Sequence, residues 1–354
     1  MKKNWRRALI FQDVSILKSL DILDKNGLQI LLVVDSDEVL KGIVTDGDIR
    51  RGILSHISLE APISTVMNIS PFCLQEEASL PEVEQKMLER EIYHIPILNK
   101  SGKVKNMYVR DDFHSSDTKL RNPVIIMAGG LGKRLKNLTE NCPKPMLKIG
   151  EKPLLETIIL GLKNQGFFHI HICINYLSEH ILNYFGNGEK FGVEIQYLKE
   201  EKRLGTAGAL SLFAPTSDLP ILVINGDLLT NINFRNILNF HAAHTADGTM
   251  SVRAFDVEVP YGVVEASQGK LTGIKEKPVQ SFFVNAGIYV LNASMLPLVP
   301  LNEFFDMTDL FQKMINLSKH TYVFPIHEYW LDIGKMDDYL RAQTEASLVI
   351  PKFE

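Results

Sequence analysis

A glycine-rich segment followed by two cations is the first feature of the sequence that could do chemistry. An apolar run at residues 124–128 leads directly into GGLGKRLKNLTENCPKPML at 129–147. Glycine at positions 129, 130 and 132 allows the backbone to turn tightly and to direct its amides at a charged oxygen. Arg134 and Lys144 lie in the same segment. Backbone amides combined with two fixed cations suit a triphosphate.

The spacing of this segment differs from two common phosphate-binding motifs. A GxGxxG pattern would need glycine at position 135, where the sequence has leucine, and GxxxxGK[ST] would need a hydroxyl residue where Arg134 stands. A dinucleotide oxidoreductase is also disfavoured because no acidic ribose partner follows a second predicted strand. No Ser-His or Cys-His pair stands out as a nucleophile.

The elements around the segment predict an α/β domain. Apolar strands (VIIMAG, HIHICIN, ILVING) alternate with amphipathic stretches at 153–164 and 236–244. This alternation is typical of a mostly parallel sheet flanked by helices. After Gly248 the predicted strands are consecutive (MSVRAF, YGVVEA, LTGIKEK, FFVNAGIYVL), so an antiparallel section is expected there. Helices are predicted at 306–317 and 337–346, and the domain is predicted to span residues 119–354.

The first third of the chain contains an internal repeat. Residues 33–49 align with residues 97–113 at a constant offset of 64. Each copy reads as a helix, two short strands and an acidic residue opening a second helix. One such unit is too small to bury its own sheet, so we expect the two copies, at about 1–60 and 61–118, to pack face to face. The polar stretch at 114–121 reads as a linker.

Composition excludes several classes of protein. The chain has 354 residues, of which 45% are hydrophobic, and its net charge of −4 gives no electrostatic reason to expect nucleic acid or a membrane as a partner. No apolar run approaches the roughly 20 residues that span a bilayer. Three cysteines without zinc-site spacing are too few for a disulfide framework. We therefore expect a cytoplasmic protein.

Taken as a whole, the segment at 128–146 resembles the signature of the sugar-1-phosphate nucleotidyltransferases, roughly AGGxGxRLxPLTxxxPKPM. It departs at Lys133, where threonine is commoner, and at Asn137, where proline is usual. Further matches follow in the expected order: LGTAGAL, INGDLL, YGVV, EKP, NAGIYVL and YWLDIG with DDY. The resemblance implies a Rossmann-like nucleotidyltransferase fold. It also implies attack of a sugar 1-phosphate on the α-phosphorus of a nucleoside triphosphate, with loss of pyrophosphate.

The resemblance assigns roles to the residues around the phosphates. Arg134 would bind the departing pyrophosphate and Lys144 the region of the α-phosphate, as the catalytic residues. Asp227 and Asp332 each end a predicted strand, and two such carboxylates beside phosphates suit Mg²⁺ as cofactor. The expected nucleotide contacts are Ala128, Gly129, Gly130, Gly132, Gly205 and Thr206.

The same resemblance places the sugar 1-phosphate against four residues. Glu276 would take hydroxyl protons, Lys277 would pair with the sugar phosphate, Gly262 would let the hexose approach the backbone, and Asn285 would contact hydroxyls.

The base is indicated by Glu200, which lies five residues before Gly205. As we align them, thymidylyl- and uridylyl-transferring relatives have glutamine at this position. Guanine presents two donors, N1–H and the 2-amino group, which a carboxylate accepts, whereas the carbonyls of uracil repel it. The residue favours GTP, unless Glu200 and Glu201 merely face solvent.

The N-terminal repeat resembles a tandem pair of CBS domains, with TDGDIRRGIL at 45–54 close to that family's signature. The resemblance implies that Thr45 and Asp48 bind the phosphate and ribose of an adenine nucleotide. In the second copy Val109 replaces the hydroxyl residue, while Asp112 remains. The alternative is that these aspartates only cap helices.

A CBS pair before such a transferase resembles guanylyltransferases that activate glucosamine 1-phosphate for legionaminic acid synthesis. Under that interpretation the pair is a regulatory or oligomerising module, and a homo-oligomer is expected. The alternatives are a mannose 1-phosphate guanylyltransferase, a heptose or uridylyl relative, and a non-catalytic sensor of adenine nucleotides.

Overall fold

The computed structural model describes residues 4–26, 28–90, 92–110, 119–130 and 132–349. The chain divides into two compact units, Met1–Thr118 and Lys119–Glu354. Within the part of the chain that the structure describes, no helix combines the length and apolar character of a membrane span.

The N-terminal unit is built from two copies of one strand arrangement. Its elements are β1 (Leu9–Phe11), α1 (Ile16–Asn26), β2 (Ile30–Val34), β3 (Leu40–Thr45), α2 (Asp46–Leu54), β4 (Leu74–Gln75), α3 (Leu80–Glu89), β5 (His94–Leu98) and β6 (Val104–Val109). In each three-stranded sheet the first pair of strands is parallel and the second antiparallel. Strands β5 and β6 follow β2 and β3 at the predicted offset of 64, so the repeat is confirmed.

The two sheets of this unit pack face to face, as predicted. Alternate residues of β2 point to opposite faces. Leu31 and Val33 pack with the helices of their own copy. Ile30, Leu32 and Val34 share a core with Val104, Met107 and Val109 of the second copy. Each copy thus closes the open face of the other sheet.

The C-terminal unit carries the larger sheet. Its strands are β7 (Val124–Met127), β8 (Lys148–Ile149), β9 (Lys152–Pro153), β10 (His169–Ile174), β11 (Glu194–Lys199), β12 (Ile221–Asn225), β13 (Leu228–Thr230), β14 (Gly248–Glu258), β15 (Val263–Ser267), β16 (Lys270–Lys275), β17 (Val279–Leu291), β18 (Thr321–Ile326) and β19 (Trp330–Asp332). Its helices are α4 (Leu154–Asn164), α5 (Ser178–Phe185), α6 (Gly205–Gly208), α7 (Phe234–Ala243), α8 (Met307–Asn316) and α9 (Met336–Val349).

Seven of these strands form one mixed sheet in the order β11-β10-β7-β12-β17-β14-β18. Strand β17 runs antiparallel to both its neighbours, and the other neighbouring pairs are parallel. Alternate residues of the central strands are buried on both faces: Ile126 and Ile224 on one, Ile125 and Val223 on the other. The predicted mostly parallel sheet flanked by helices is confirmed.

The two edge strands of the seven-stranded sheet were missed by the prediction. Strand β11, which ends at Lys199 directly before Glu200, was not predicted. Strand β18 was not predicted. It contains Pro325, which is tolerated because β18 is the other edge strand and leaves one side of its backbone unpaired.

Helix α7 begins two residues earlier than expected. The side chain of Asn233 accepts hydrogen bonds from the backbone N–H groups of Arg235 and Asn236, at 3.0 and 3.3 Å, and so caps the helix.

Candidate active site

The glycine-rich segment and Asp227 meet at the carboxyl edge of the large sheet. Strand β10 lies on one side of β7 and β12 on the other, so the strand order reverses at the end of β7. Such a switch point is where open α/β sheets bind ligands. Asn225 pairs with Met127, and the N–H of Gly226 donates to the Met127 carbonyl at 2.9 Å. The two loops therefore leave the sheet side by side.

The glycines of the loop are needed for two different reasons. A Cβ at Gly129 would collide with the carboxylate of Glu200. Gly132 has φ = +63°, and a Cβ there would lie 2.9 Å from Cγ2 of Thr139, whose hydroxyl donates to the Gly132 carbonyl at 3.0 Å. Gly130 borders open space. Glycine at 129 and 132 thus allows the loop to fold tightly against its neighbours, whereas the loop at Gly130 is accessible.

Lys144 is buried between the two predicted metal ligands. Only 8% of the residue is exposed, and its Nζ lies 2.5 Å from Asp227 Oδ2 and 3.8 Å from Asp332 Oδ1. Strands β13 and β19 bring the carboxylates together, because Leu228 pairs with Asp332 and the N–H of Ile333 donates to the Asp227 carbonyl at 3.0 Å. The predicted convergence of Lys144, Asp227 and Asp332 is present.

This cluster carries more negative than positive charge. Burial and the charge of Asp227 raise the pKa of Asp332, against the opposing charges of Lys144 and Arg134. Oδ1 of Asp227 and Oδ1 of Asp332 are buried and accept no hydrogen bond from any described residue. Unsatisfied carboxylate oxygens are hard ligands of the kind that a divalent cation prefers. These residues fit Mg²⁺.

Arg134 lies at the open side of the cluster. It is exposed, in a short 3-10 helix, Lys133–Thr139, that begins directly after Gly132. A Cβ placed on Gly334 would lie 3.3 Å from its Nη1. The guanidinium thus stands beside the end of β19, and no described residue forms an ion pair with it.

Glu200 faces the glycine loop rather than solvent. It is 8% exposed, and its Oε2 accepts a hydrogen bond from the N–H of Leu204 at 3.0 Å, while Oε1 lies against Gly129. Burial raises the pKa of the carboxyl, opposed by the Leu204 N–H and by Arg203. Of Glu200 and Glu201, only Glu201 faces solvent.

Gly205 and Thr206 begin α6, next to the first turn of α8. Gly205 has φ = +81°, and a Cβ there would lie 2.6 Å from the Phe305 carbonyl. The hydroxyl of Thr206 donates to Asp306 at 3.2 Å and accepts from the N–H of Met307 at 2.8 Å. The Thr206 side chain therefore bonds within the protein, and its contact with a nucleoside stays a prediction.

The predicted sugar-binding residues fall into two groups. Gly262 and Glu276 flank the β15–β16 hairpin and lie together, since a Cβ at Gly262 would be 3.0 Å from Glu276 Oε2. Lys277 follows with φ = +42°. Asn285 lies in β17. Among the described residues, no hydrogen bond or ion pair joins these residues to Lys144 or Asp227, so their meeting at one sugar stays a prediction.

A family model described as nucleotidyl transferase matches residues 123–347 of this chain. The chain belongs to that family. A CBS domain model matches residues 8–55 and 63–115, which confirms CBS domains at the N-terminus.

Related proteins agree with this assignment. The nucleotidyl transferase domain is 35% identical over 223 residues to D-glycero-alpha-D-manno-heptose 1-phosphate guanylyltransferase of Aneurinibacillus thermoaerophilus, covering 62% of this chain and 96% of that protein. It is 34% identical over 225 residues to mannose-1-phosphate guanyltransferase of Pichia angusta, covering 61% of this chain and 62% of the yeast protein. The crystal structure of HddC from Yersinia pseudotuberculosis has a TM-score of 0.51 at 25% identity, covering 64% of this chain and 99% of that chain.

Sequence reasoning missed a polar group within the nucleotidyl transferase sheet. Asn225 places its side chain against Gly287, whose φ of +71° interrupts strand β17. Tyr289 is buried in the same strand, and its hydroxyl accepts a hydrogen bond from Asn285. An isolated glycine within a strand pattern indicates a bulge, so the glycine in NAGIYVL was a signal for this irregularity of β17.

In the CBS unit, Thr45 and Asp48 bond to one another. The backbone N–H and the hydroxyl of Thr45 both donate to Asp48 Oδ2, at 2.8 and 2.7 Å, and Arg51 pairs with the other oxygen. The capping role weighed as the alternative is thus present, and nucleotide binding stays a prediction. Asp112 and most of the predicted linker lie outside the described residues.

Proposed function

We propose that this nucleotidyl transferase moves a guanylyl group from GTP to a sugar 1-phosphate. An oxygen of the sugar phosphate attacks the α-phosphorus, and the bond from that phosphorus to the bridging oxygen of the β-phosphate breaks. The products are a nucleotide sugar and pyrophosphate. The observation that carries the proposal is the buried Lys144–Asp227–Asp332 cluster beside the glycine loop.

Catalysis in this site is positioning and charge neutralisation, because the attacking group is already an anion and needs no base. Lys144 is buried within the cluster, where an electrostatic interaction is stronger than in bulk water. Arg134 is exposed and carries no ion pair with a described residue, so its guanidinium is available for the departing pyrophosphate. The loop amides between Ala128 and Gly132 would hold the remaining phosphate oxygens.

Asp227 and Asp332 are the proposed ligands of Mg²⁺. Once bound, the cation would neutralise charge on the phosphates and orient them. The support is the pair of unsatisfied oxygens described above.

The preference for GTP is supported by the position of Glu200. Its Oε2 is held by Leu204, so its Oε1 is the acceptor on the side of the glycine loop. A carboxylate at this place can accept from guanine N1–H and the 2-amino group. The two guanylyl-transferring relatives point to the same base.

Three sugar 1-phosphates are candidates for the acceptor substrate. The fused CBS pair favours glucosamine 1-phosphate, on a route to legionaminic acid or a related surface glycan. The names of the relatives favour a manno-heptose or mannose 1-phosphate. We propose glucosamine 1-phosphate first, with the other two as direct competitors.

The test is pyrophosphate release with Mg²⁺, measured with GTP, UTP, CTP, ATP and dTTP against glucosamine, mannose and manno-heptose 1-phosphates. The proposal expects release with GTP and one sugar. Release with UTP or dTTP in place of GTP would overturn the base assignment and retain the family activity. No release in any combination would contradict the proposed function.

We further propose that the CBS pair binds an adenine nucleotide through Thr45 and Asp48, and that the protein forms a homo-oligomer. Equilibrium dialysis with AMP and ATP, and light scattering of the purified chain, test these two points separately.

A further inference from the structure

Strand β17 is irregular where it passes the site. Met250 of β14 pairs with Tyr289 and Val252 pairs with Asn285, so a single β14 residue lies opposite three residues of β17. Gly287, at the centre of those three, has a left-handed backbone. Bulges of this kind occur next to active sites because they change the direction of a side chain. Here the residue at the edge of the bulge is Asn285.

The amide of Asn285 is held by two hydrogen bonds across the bulge. Its Oδ1 accepts from the N–H of Gly287 at 2.9 Å, and its Nδ2 donates to the hydroxyl of Tyr289 at 2.8 Å. The Gly287 N–H can face only the amide oxygen, so the orientation of the amide is determined. An asparagine amide has two N–H donors and two acceptor lone pairs. One N–H and one carbonyl lone pair of the Asn285 amide therefore have no partner within the bulge. Asn285 is exposed, so a ligand can reach them.

Tyr289 lies beneath this amide, in the core. It is 2% exposed and packs in the cluster that includes Phe311, with ring centroids 5.9 Å apart. Burial raises the pKa of its hydroxyl to about 12, so the group stays protonated, and the charges of Asp227 and Asp306 add to that effect. The ring position is set by packing, so the hydroxyl is a fixed acceptor for Asn285.

We propose that Tyr289 is a positioning residue for the sugar 1-phosphate. Its hydroxyl fixes the Asn285 amide so that the remaining N–H and carbonyl lone pair bind one sugar hydroxyl, as donor and acceptor together. This inference rests on the proposed function, because it assumes that Asn285 contacts the sugar. It predicts that the buried Tyr289 hydroxyl affects the affinity for the sugar 1-phosphate and leaves the affinity for the nucleotide unchanged.

The test is Tyr289→Phe, which removes the hydroxyl and keeps the ring. A lost neutral hydrogen bond of about 0.5–1.5 kcal/mol corresponds to a rise of about 2- to 12-fold in KM for the sugar 1-phosphate. The KM for GTP and kcat should stay within about twofold. Tyr184→Phe is the matched control, since it also removes one hydroxyl hydrogen bond, to Glu156 at 2.6 Å, and it should alter neither KM.

A double-mutant cycle separates positioning from a general structural effect. In an Asn285→Ala background, Tyr289→Phe should no longer change KM for the sugar, because the hydroxyl then has no amide to hold. An equal effect in both backgrounds, or an effect on KM for GTP, would overturn the proposal. If the Tyr289→Phe protein did not fold, Asn285→Ala alone would decide, since an unchanged KM for the sugar in that variant excludes the proposal. If the wild-type protein released no pyrophosphate with any sugar, that result would contradict the proposed function and not the positioning role of Tyr289.

Discussion

Replacing Glu200 with glutamine is the sharpest test of how this protein selects its base. The Leu204 N–H requires an acceptor, so a glutamine at 200 must turn its carbonyl oxygen toward Leu204. Its amino group then lies on the side of Gly129, where the wild-type residue offers Oε1. The substitution therefore exchanges an acceptor for a donor at a single place, without removing the internal hydrogen bond.

The expected magnitude follows from the hydrogen bonds that guanine would lose. A hydrogen bond to a charged group contributes about 1.5–3 kcal/mol, so the loss of one lowers kcat/KM for GTP about 10- to 150-fold. The amino group that replaces the acceptor can donate to a uracil carbonyl, so kcat/KM for UTP should rise. Glu201→Gln, one residue further along and exposed, is the matched control and should leave both values unchanged.

The stability of the variant follows from the sign of the Glu200 pKa shift. Burial raises the pKa in the folded protein, so the stabilising contribution of the group is present at low pH and is lost as pH rises through the folded-state pKa. At pH 8 a neutral glutamine removes the cost of burying a charge, and the melting temperature should not fall. Unchanged kcat/KM for GTP in a folded Glu200→Gln protein would refute the assignment of Glu200 to the base.

Three further predictions concern the metal, helix α4 and the CBS unit. Asp227→Asn should lower Mg²⁺-dependent pyrophosphate release by at least about 100-fold, the scale of losing one preorganised charge, while circular dichroism shows an intact fold; wild-type rates would exclude the metal role. Gly161→Ala should raise stability by about 0.5–1 kcal/mol in urea titrations, because Gly161 lies within α4, where alanine has the higher helix propensity, and a Cβ there meets no atom within 4 Å; a lower stability would contradict this reasoning. Thr45→Ala should abolish AMP binding measured by calorimetry, whereas Ser79→Ala, which removes the N-cap of α3 in the other copy, should destabilise the unit and leave binding unchanged; equal losses in both variants would mean that the capping role alone matters.

Much of this architecture could be predicted because many of its strands and helices are indicated by short stretches of sequence. The offset of 64 residues predicted the two antiparallel strand pairs, β2–β3 and β5–β6, since each copy repeats the same strand lengths and turn positions. Helix α8 was predicted from Asp306, whose backbone N–H donates to Asp309 at 3.1 Å in a capping box. Strand β18 escaped prediction because its edge position, which makes Pro325 tolerable, depends on the whole sheet.

The contacts within the site could not be predicted from the local sequence pattern alone. Lys144 and Asp227 were recognisable from their motifs, but their separation of 2.5 Å depends on the pairing of β7 with β12 and of β13 with β19. The bulge in β17 likewise depends on β14 as its partner. The glycine in NAGIYVL can indicate an irregular strand, but not which side chains that irregularity brings together. Strand neighbours far apart in sequence decide these contacts.

Glu200 illustrates the same limit in a single residue. In the sequence it stands beside Glu201, and both could have been solvated charges on a loop. Because β11 extends to Lys199, the N–H of Glu200 still bonds to the carbonyl of Ile174 in β10, at 2.9 Å, and the chain turns only after that bond. The Glu200 side chain that follows lies against Gly129, in the loop after β7. The proposed acceptor for the base is therefore positioned by the length of β11. If the proposal is right, a change that shortens β11 should weaken the preference for GTP even with Glu200 intact.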